Sequence, residues 1–420
     1  MTDLLWPGDE RAGAVFSDIA ILTALVRVEA AWLGVLADAG IAPAFAAVSL
    51  DDLITDADLI GLCAAAEAGG NPVIPLVDLL RSRLADRGDL DAARWLHRGL
   101  TSQDVLDTAL MCCVRNGLEA IHAAVARQVA ALIALAVAHR TTVMAGRTLT
   151  QHAVPITFGL KAAGWLDGIL DATVDLTTVG TALPVQAGGA AGTGAALAEL
   201  AGSPVAVETA GAALASRLGL AVSAPWHTRR RPVTRVGDAL VGLVDALGHV
   251  ANDVVLLARP EVGELSEGTS GGSSTMPQKQ NPVLATLLRR AALTAPLLGA
   301  QLHAAAAAMV DERPAGAWHA EWAPLRALTR ITLVAADQAA DLLGALVVYP
   351  DAMGGRARDA RVDLLAERDA VRALRADWPD GGADAPHAEA DAELASYLGA
   401  TDLLIGATLE RAARYGTGER

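Results

Sequence analysis

The feature of this sequence that most constrains its fold is a long helical repeat near the middle of the chain. From Gln103 to His139, apolar residues recur every three or four positions, the spacing of one helix face. This pattern predicts a single helix about 50 Å long. The apolar positions are Leu106, Leu110, Val114, Leu118, Ile121, Val125, Val129, Leu132 and Leu135.

Three further helices are predicted from the same spacing and from proline positions. One begins at Pro232 and continues to residue 258, one follows Pro155, and one covers residues 283–309. Only 3% of the residues are aromatic while 53% are hydrophobic, so the core is mostly Ala, Leu and Val, which favours closely packed helices. The predicted fold is therefore all-α, an elongated bundle of long helices.

Smaller helical domains are expected at both ends of the bundle. Before residue 100 the predicted helices are shorter and are interrupted by Gly and Pro, and after residue 347 the chain becomes rich in charged residues. We therefore predict an N-terminal domain over residues 1–100, a central bundle over 101–346 and a shortened C-terminal domain over 347–420. Within the last, "DWPDGGADAPH" is predicted to be a loop.

Charge and composition argue against several classes of protein. The net charge of −15 is unfavourable for general nucleic-acid binding. Charged or amide residues interrupt each apolar run, so we expect no membrane span, and the N-terminus lacks the pattern of a signal peptide. The three cysteines form no metal-ligand cluster. We expect a cytoplasmic protein without metal or organic cofactor.

The stretch "GGSSTMPQKQNP" at residues 271–282, here called the signature loop, combines flexible backbone with reactive side chains. Its glycines and prolines disfavour helix and strand. Within a few positions it carries the hydroxyls of Ser273 and Ser274, the cation of Lys279 and the amide of Asn281. An ordinary solvent-exposed loop does not need this combination.

Four other polar clusters interrupt the apolar pattern, and each also has a purely structural reading. In residues 97–108, Thr101 or Ser102 can cap the long helix. In residues 146–165, Gln151 and His152 are expected just ahead of a proline-started helix. The arginines of residues 225–232 can be solvated surface, and residues 311–322 can form an aromatic-anchored turn.

The motifs together resemble a known superfamily. "GSSTMPQKQNP" resembles the signature of the fumarase/aspartase superfamily, which includes adenylosuccinate and argininosuccinate lyases, and "TSQDVLDT" and "GRTLTQHAVPIT" resemble two further regions of it. Within the superfamily, "HRGLTSQDVLDTAL", "MPQKQNPVLATLLR" and "AGAWHAEW" are most similar to the bacterial 3-carboxy-cis,cis-muconate cycloisomerases. Leu149 and Thr286 replace the His and Glu of the lyases, and His152 stands three positions after Leu149, as in that branch.

The resemblance implies a function and an assembly. Enzymes of this branch close 3-carboxymuconate, a small tricarboxylate, to a carboxymuconolactone in the protocatechuate branch of the β-ketoadipate pathway. The resemblance also implies a homotetramer in which each active site is assembled from more than one subunit. Two alternatives stay open: a β-eliminating lyase acting on a succinate-type substrate, as adenylosuccinate lyase does, and a catalytically silent structural relative.

The chemistry of lactone formation assigns roles to the polar residues. Negative charge builds on one substrate carboxylate, so the site needs fixed positive charge and hydrogen-bond donors there. Lys279 and Asn281 can supply them, and the other carboxylates need further donors. The residues predicted to bind substrate are Thr101, Ser102, Gln151, Arg230, Ser274, Met276 and Asn281.

Two residues compete for the role of general acid/base. The resemblance makes Ser273 the base of the loop, but a serine needs strong activation to ionise near neutral pH. A histidine titrates in that range without special activation, which favours His152. The predicted catalytic residues are therefore His152, Ser273 and Lys279.

Overall fold

A computed structural model of the chain describes residues 3–268, 271–272, 275–276, 279–376 and 389–417. Ser273 and Ser274, and the predicted loop "DWPDGGADAPH", lie outside the described residues. The predicted all-α class is confirmed, because helices dominate the described part of the chain, which contains only two short two-stranded sheets.

The helices vary from four to 37 residues. In chain order they are α1 (Asp18–Asp38), α2 (Leu59–Gly69), α3 (Val73–Arg87), α4 (Leu90–Trp95), α5 (Ser102–Ala138), α6 (Phe158–Gly180), α7 (Ala195–Ala201), α8 (Val205–Leu218), α9 (Arg231–Leu257), α10 (Val283–Ala307), α11 (Ala317–Ala320), α12 (Trp322–Ala345), α13 (Pro350–Asp359), α14 (Arg361–Ala376), α15 (Ala390–Ala395) and α16 (Thr401–Thr417). The strands are β1 (Val143–Thr148), β2 (Gln151–Thr157), β3 (Leu265–Ser266) and β4 (Val347–Val348).

The long predicted helices are confirmed with small shifts at their ends. Helix α5 begins one residue before the predicted start, and α9 and α10 begin within one residue of theirs. The apolar repeat that predicted α5 is buried: Leu106, Val114 and Ile121 are at most 3% exposed. The periodic pattern therefore indicated both the helix and the face that it buries.

The region around Pro155 differs from its prediction. Pro155 does not start a helix but lies in β2, which pairs with β1 as an antiparallel hairpin, and helix α6 begins only at Phe158. The hairpin contains five β-branched residues, which favour extended backbone: Val143, Thr148, Val154, Ile156 and Thr157. His152 is consequently on a strand, six positions before α6. The carboxylate that lies 3.6 Å from its Nδ1, that of Asp363, belongs to the first turn of α14.

The chain divides into two compact units. Unit 1 contains residues 1–121, 175–242 and 293–334, and unit 2 contains residues 122–174, 243–292 and 335–420. In unit 1, α1 packs against α8 and buries Trp32 and Leu25. The three-domain division near residues 100 and 347 stays a prediction.

In unit 2, the charged C-terminal segment supports the hairpin. Helix α13 packs against β1 and α14 packs against β2. Leu364 and Leu365 of α14 share a buried apolar cluster with Ala145 of β1 and Ala357 of α13. The charged sequence after Met353 does not predict an apolar helix, but α14 buries two adjacent leucines. The charged side chains of Asp363, Glu367, Asp369 and Arg372 on the same helix are exposed.

Four helices are long and apolar enough to cross a membrane, judged by length and composition alone. They are Asp18–Asp38, Ser102–Ala138, Arg231–Leu257 and Val283–Ala307. The expectation that no apolar run reaches this length is therefore wrong. Folding covers much of this surface in α1, where 61% of the most apolar window is buried, but only 28% of the corresponding window of α10.

Candidate active site

Three of the four polar clusters of the sequence come together in unit 1. The first turns of α5, the segment that precedes α9 and the segment around α11 meet there in what we call the buried polar cluster. Its members are Asp104, Asp107, Gln186, His227, Arg230 and Glu321, all at most 5% exposed.

Arg230 is the centre of the buried polar cluster. Its Nη1 and Nη2 lie 2.7 and 2.9 Å from the two carboxylate oxygens of Asp107, and its Nε lies 3.2 Å from Oε2 of Glu321. Nη2 also donates to Oε1 of Glu321. The guanidinium carbon is 4.5 Å from the ring centre of Trp226. The indole Nε1 of Trp318 donates to Asp107 over 2.9 Å.

This geometry changes the predicted role of Arg230. The side chain is fully buried and its N–H groups face protein carboxylates, so it does not present a fork to a substrate carboxylate. Arg230 instead holds together three distant parts of the chain. The predicted role in substrate binding is not supported, and we treat Arg230 as a structural residue.

The charges of the buried polar cluster influence one another. Burial by itself lowers the pKa of Arg230, but the neighbouring carboxylates of Asp107 and Glu321 outweigh it and hold the pKa above its usual range. Burial raises the pKa of Glu321 to about 7, although the adjacent Arg230 opposes this rise. The carboxyl of Glu321 therefore titrates near neutrality in a site that is buried from solvent.

Asp104 fixes the start of α5. One of its oxygens accepts from the backbone N–H of Gly188 and lies 2.9 Å from Nε2 of His227, and the other accepts from the N–H groups of Gly189 and Thr101. Gly188 is required here, because a Cβ atom would come within 2.7 Å of the His227 ring.

Thr101 and Ser102 are placed at the mouth of this arrangement. Both are half-buried at the N-terminal end of α5. The carboxylate of Asp104, in the first turn of this helix, accepts a hydrogen bond from the backbone N–H of Thr101. The hydroxyl of Thr101 accepts a hydrogen bond from Arg313, an exposed arginine that sequence reasoning missed. Its signal is the "DERPAG" stretch at residues 311–316, within the segment that is also predicted to form a turn. Arg313 therefore places an exposed cation beside Thr101.

Gln151 and His152 lie on the hairpin of unit 2, next to its turn. His152 pairs with Arg147 across the hairpin and Gln151 pairs with Thr148. The side chain of His152 is 40% exposed, and its Nδ1 is 3.6 Å from a carboxylate oxygen of Asp363 on α14. A carboxylate on one ring nitrogen orients an imidazole so that the other can exchange a proton with a ligand.

The turn of the hairpin is backbone-strained. Leu149 and Thr150 have φ values of 48° and 69°, the left-handed region that glycine and asparagine usually occupy in such two-residue turns. Arg147 secures the strand beside the turn by a bidentate ion pair with the buried carboxylate of Glu264, at 2.8 and 3.1 Å. The hairpin therefore holds His152 on a fixed frame.

The base of the signature loop is anchored at both ends. Gly271 and Asn281 exchange two backbone hydrogen bonds of 3.1 and 3.2 Å, and a Cβ at Gly271 would clash with Val283. The buried carboxylate of Glu267 accepts from the N–H groups of Leu284 and Ala285 and so caps α10. Burial raises the pKa of Glu267, while these backbone bonds oppose the rise.

Lys279 and Met276 project from this anchored base. Both side chains are exposed, and the N–H of Lys279 donates to the carbonyl of Met276 over 3.0 Å. A lysine held this way offers a cation to an incoming anionic ligand. Among the described residues no group of three or more His, Cys, Asp or Glu side chains has a metal-binding geometry.

Comparisons with known proteins identify the family to which the chain is similar. Residues 71–296 match the family described as "Lyase". The chain is 44% identical to nitrosuccinate lyase from Streptomyces davaonensis, over 84% of this chain and 76% of that protein. It is 40% identical to 3-carboxy-cis,cis-muconate cycloisomerase from Bradyrhizobium diazoefficiens, over 76% and 70% respectively.

A solved structure is similar over nearly the whole chain. The 3-carboxy-cis,cis-muconate lactonizing enzyme from Pseudomonas putida matches with a TM-score of 0.82 and 31% identity, over 96% of both chains. The fold and the site thus define an α-helical enzyme of the lyase and cycloisomerase kind. The chain belongs to the lyase family of the fumarase/aspartase superfamily.

Proposed function

We propose that the protein closes 3-carboxy-cis,cis-muconate to a carboxymuconolactone in the protocatechuate branch of the β-ketoadipate pathway. The observation that carries this proposal is the similarity to the lactonizing enzyme from Pseudomonas putida, which extends over 96% of both chains. The position of His152, half-exposed on a hairpin beside a carboxylate, suits the proton transfer that the reaction needs.

The reaction is an isomerisation in which no group is lost. A carboxylate oxygen of the substrate forms a C–O bond at one end of a double bond that is conjugated to a second carboxylate. The displaced π electrons move onto that second carboxylate as an enolate, and the carbon beside it then takes up a proton. Catalysis therefore requires positive charge at the enolate and an acid at the carbon.

The predicted site residues divide these tasks. Lys279 and Asn281 stabilise the enolate charge, and Arg313, rather than the buried Arg230, pairs with another carboxylate beside Thr101. Ser102, Gln151, Ser274 and Met276 complete the binding of substrate.

His152 gives the proton to carbon. Its Nδ1 faces Asp363, which leaves Nε2 as the nitrogen that meets the substrate. Ser273 is the competing acid/base.

Elimination of nitrite from nitrosuccinate is a second candidate. It is favoured by the 44% identity to nitrosuccinate lyase, which exceeds the 40% identity to the cycloisomerase. In that reaction a base removes a proton from the carbon beside a carboxylate, the C–N bond breaks, and nitrite leaves with the electron pair. Nitrite and carboxylate are both small planar oxyanions, so one set of donors can accommodate either.

We propose that the protein is a cytoplasmic homotetramer with shared active sites. Helix α10 leaves most of its apolar window uncovered in one chain, and Leu293 and Leu297 on it are 76% and 71% exposed. Soluble proteins rarely leave such surface free, and helix surfaces of this kind favour symmetric association. Light scattering at micromolar concentration should give a mass of four chains, and a stable monomer would contradict the assembly.

Two parallel assays test the function. The protein is mixed with 3-carboxymuconate while the absorbance of its conjugated double bonds is followed, and with nitrosuccinate while released nitrite is measured. We expect rapid loss of absorbance and little nitrite. Fast nitrite release with stable absorbance would make the protein a nitrite-eliminating lyase. Inactivity in both assays would contradict both proposals and favour another succinate-type substrate or a silent relative.

A further inference from the structure

A charged cavity lies in unit 1, beside the start of α9. Its volume is about 330 Å³, and its lining includes three arginines: Arg229, Arg231 and Arg235. Leu183 and Val222 contribute apolar wall. Among the described residues no Asp or Glu lines this cavity, which we call the arginine cavity. It shares no residue with the predicted substrate-binding set.

The three arginines are unusual in this acidic chain. No carboxylate of the described residues forms an ion pair with any of them, whereas Arg217 and Arg326 of the same unit each have one. Arg231 and Arg235 are four positions apart on α9, where like charges repel. In a chain of net charge −15, three unpaired cations around one cavity create a local positive potential that attracts anions.

Hydrogen bonds hold two of the residues that line the arginine cavity, Arg229 and Trp226, in place. The Nη2 of Arg229 donates to the carbonyl oxygens of Pro225 and Ala224 over 2.8 and 3.4 Å, which holds its guanidinium along the loop. Trp226 is buried in the lining, with its indole Nε1 donating to Val185 and its backbone N–H to Gln186. Groups held in place before binding lose little freedom when a ligand arrives.

We propose that the arginine cavity binds a small oxyanion that carries at least two negative charges. Guanidinium groups recognise carboxylate and phosphate oxygens through paired hydrogen bonds, and three of them suit a multivalent ion rather than chloride. A cavity of about 330 Å³ accommodates a molecule of the size of a small polycarboxylate. The site is separate from the catalytic residues proposed above, because it uses none of them.

Calorimetric titration of the full chain tests this site. Citrate and pyrophosphate are titrated separately at low ionic strength into the wild type and into Arg231→Gln/Arg235→Gln. We expect saturable binding that the double variant weakens at least about tenfold, because each lost guanidinium removes charge-assisted hydrogen bonds. The two titrations show whether carboxylate or phosphate is preferred.

Matched variants distinguish binding in the arginine cavity from a general effect of charge and from binding at the signature loop. Arg94→Gln/Arg372→Gln removes the same charge from exposed positions elsewhere, and Lys279→Met alters the signature loop, so both should bind pyrophosphate within about twofold of wild type. Equal weakening in the control pair would show a general charge effect and overturn the proposal. Loss of binding in Lys279→Met would place the ion in the catalytic site instead.

Two further outcomes would also overturn the proposal. The first is an absence of saturable heat in the wild type with both ions. The second is a smaller assembly of Arg231→Gln/Arg235→Gln in light scattering, which would show that an acidic segment of a second copy occupies the cavity. Arg231→Lys/Arg235→Lys keeps the charges but not the guanidinium fork, so we expect intermediate affinity from a protein with unchanged thermal stability.

Discussion

The buried polar cluster of unit 1 and the hairpin and signature loop of unit 2 use the same residue types in opposite ways. In unit 1, Arg230 and two carboxylates are removed from solvent and satisfy one another. In unit 2, His152 and Lys279 are exposed on elements whose bases are fixed by buried carboxylates, those of Glu264 and Glu267. The charged residues of these motifs are therefore of two kinds. Some are buried and stabilise the fold, and others are exposed and available to a ligand.

The largest expected effect is on stability and comes from removing the cation of the buried polar cluster in unit 1. Arg230→Met leaves the carboxylates of Asp107 and Glu321 buried without their cation, which should destabilise the fold by about 3–5 kcal/mol. The neighbouring Arg231→Met is the control, because Arg231 is exposed, and should change stability by no more than about 0.5 kcal/mol. Urea unfolding of both variants measures the difference. Equal free energies of unfolding for the two variants would show that the ion pairs of Arg230 do not stabilise the fold.

A large effect on catalysis is expected when Lys279, the exposed lysine of the signature loop, is replaced. Lys279→Met removes a cation that meets the substrate both before and during the reaction, so kcat should fall by roughly 10²-fold and KM should rise. The melting temperature should stay near that of the wild type, because the side chain is exposed. A variant that loses stability but keeps its turnover would reverse the contrast between the two regions.

The third prediction concerns pH and the buried Glu321. Its pKa is raised to about 7 in the folded protein, above the unfolded value, so the folded state binds the extra proton. The stability that this proton contributes is full below about pH 4.5 and is lost as pH rises through 7, by about 1 kcal/mol between pH 6 and pH 8. Glu321→Gln should remove this slope. Melting curves of the wild type and Glu321→Gln between pH 6 and pH 8 test this. The same dependence of stability on pH in both proteins would contradict the prediction.

The smallest effect is expected at the exposed partner of His152. Asp363→Asn removes a carboxylate that lies 3.6 Å from Nδ1 and is largely exposed, so kcat should fall by only about two- to fivefold. Asp359→Asn, on the neighbouring helix α13, is a suitable control. If Asp363→Asn lowers kcat as strongly as a change of His152 itself, the pair acts as a unit and the carboxylate has more than an orienting role.

Sequence periodicity predicted the long helices but not the tertiary pairings. Helices α5, α9 and α10 were predicted to within a few residues, because each depends on a local apolar repeat. The hairpin was missed because Pro155 resembles a helix start and because its turn, Leu149 and Thr150, lacks the usual glycine or asparagine. The β-branched residues around it were the available signal.

The site was predictable only where its residues lie in a local motif. "GSSTMPQKQNP" and the stretch with His152 could be identified because each is contiguous in the chain. The ion pairs of Arg230 join residues 123 and 91 positions apart, which no local pattern encodes. Three arginines in a row appear alike in sequence, yet Arg230 is buried and Arg231 is exposed. Only packing distinguishes them.

The central claim is that the hairpin of unit 2 supplies the proton that completes the reaction. The direct measurement is the turnover of 3-carboxymuconate by His152→Gln and Ser273→Ala, side by side, at matched folded concentration. We predict that His152→Gln lowers kcat by roughly 10²-fold or more with a smaller change in KM, while Ser273→Ala retains more activity. If Ser273→Ala abolishes turnover and His152→Gln stays within a few-fold of wild type, the loop serine is the acid/base and the claim is contradicted.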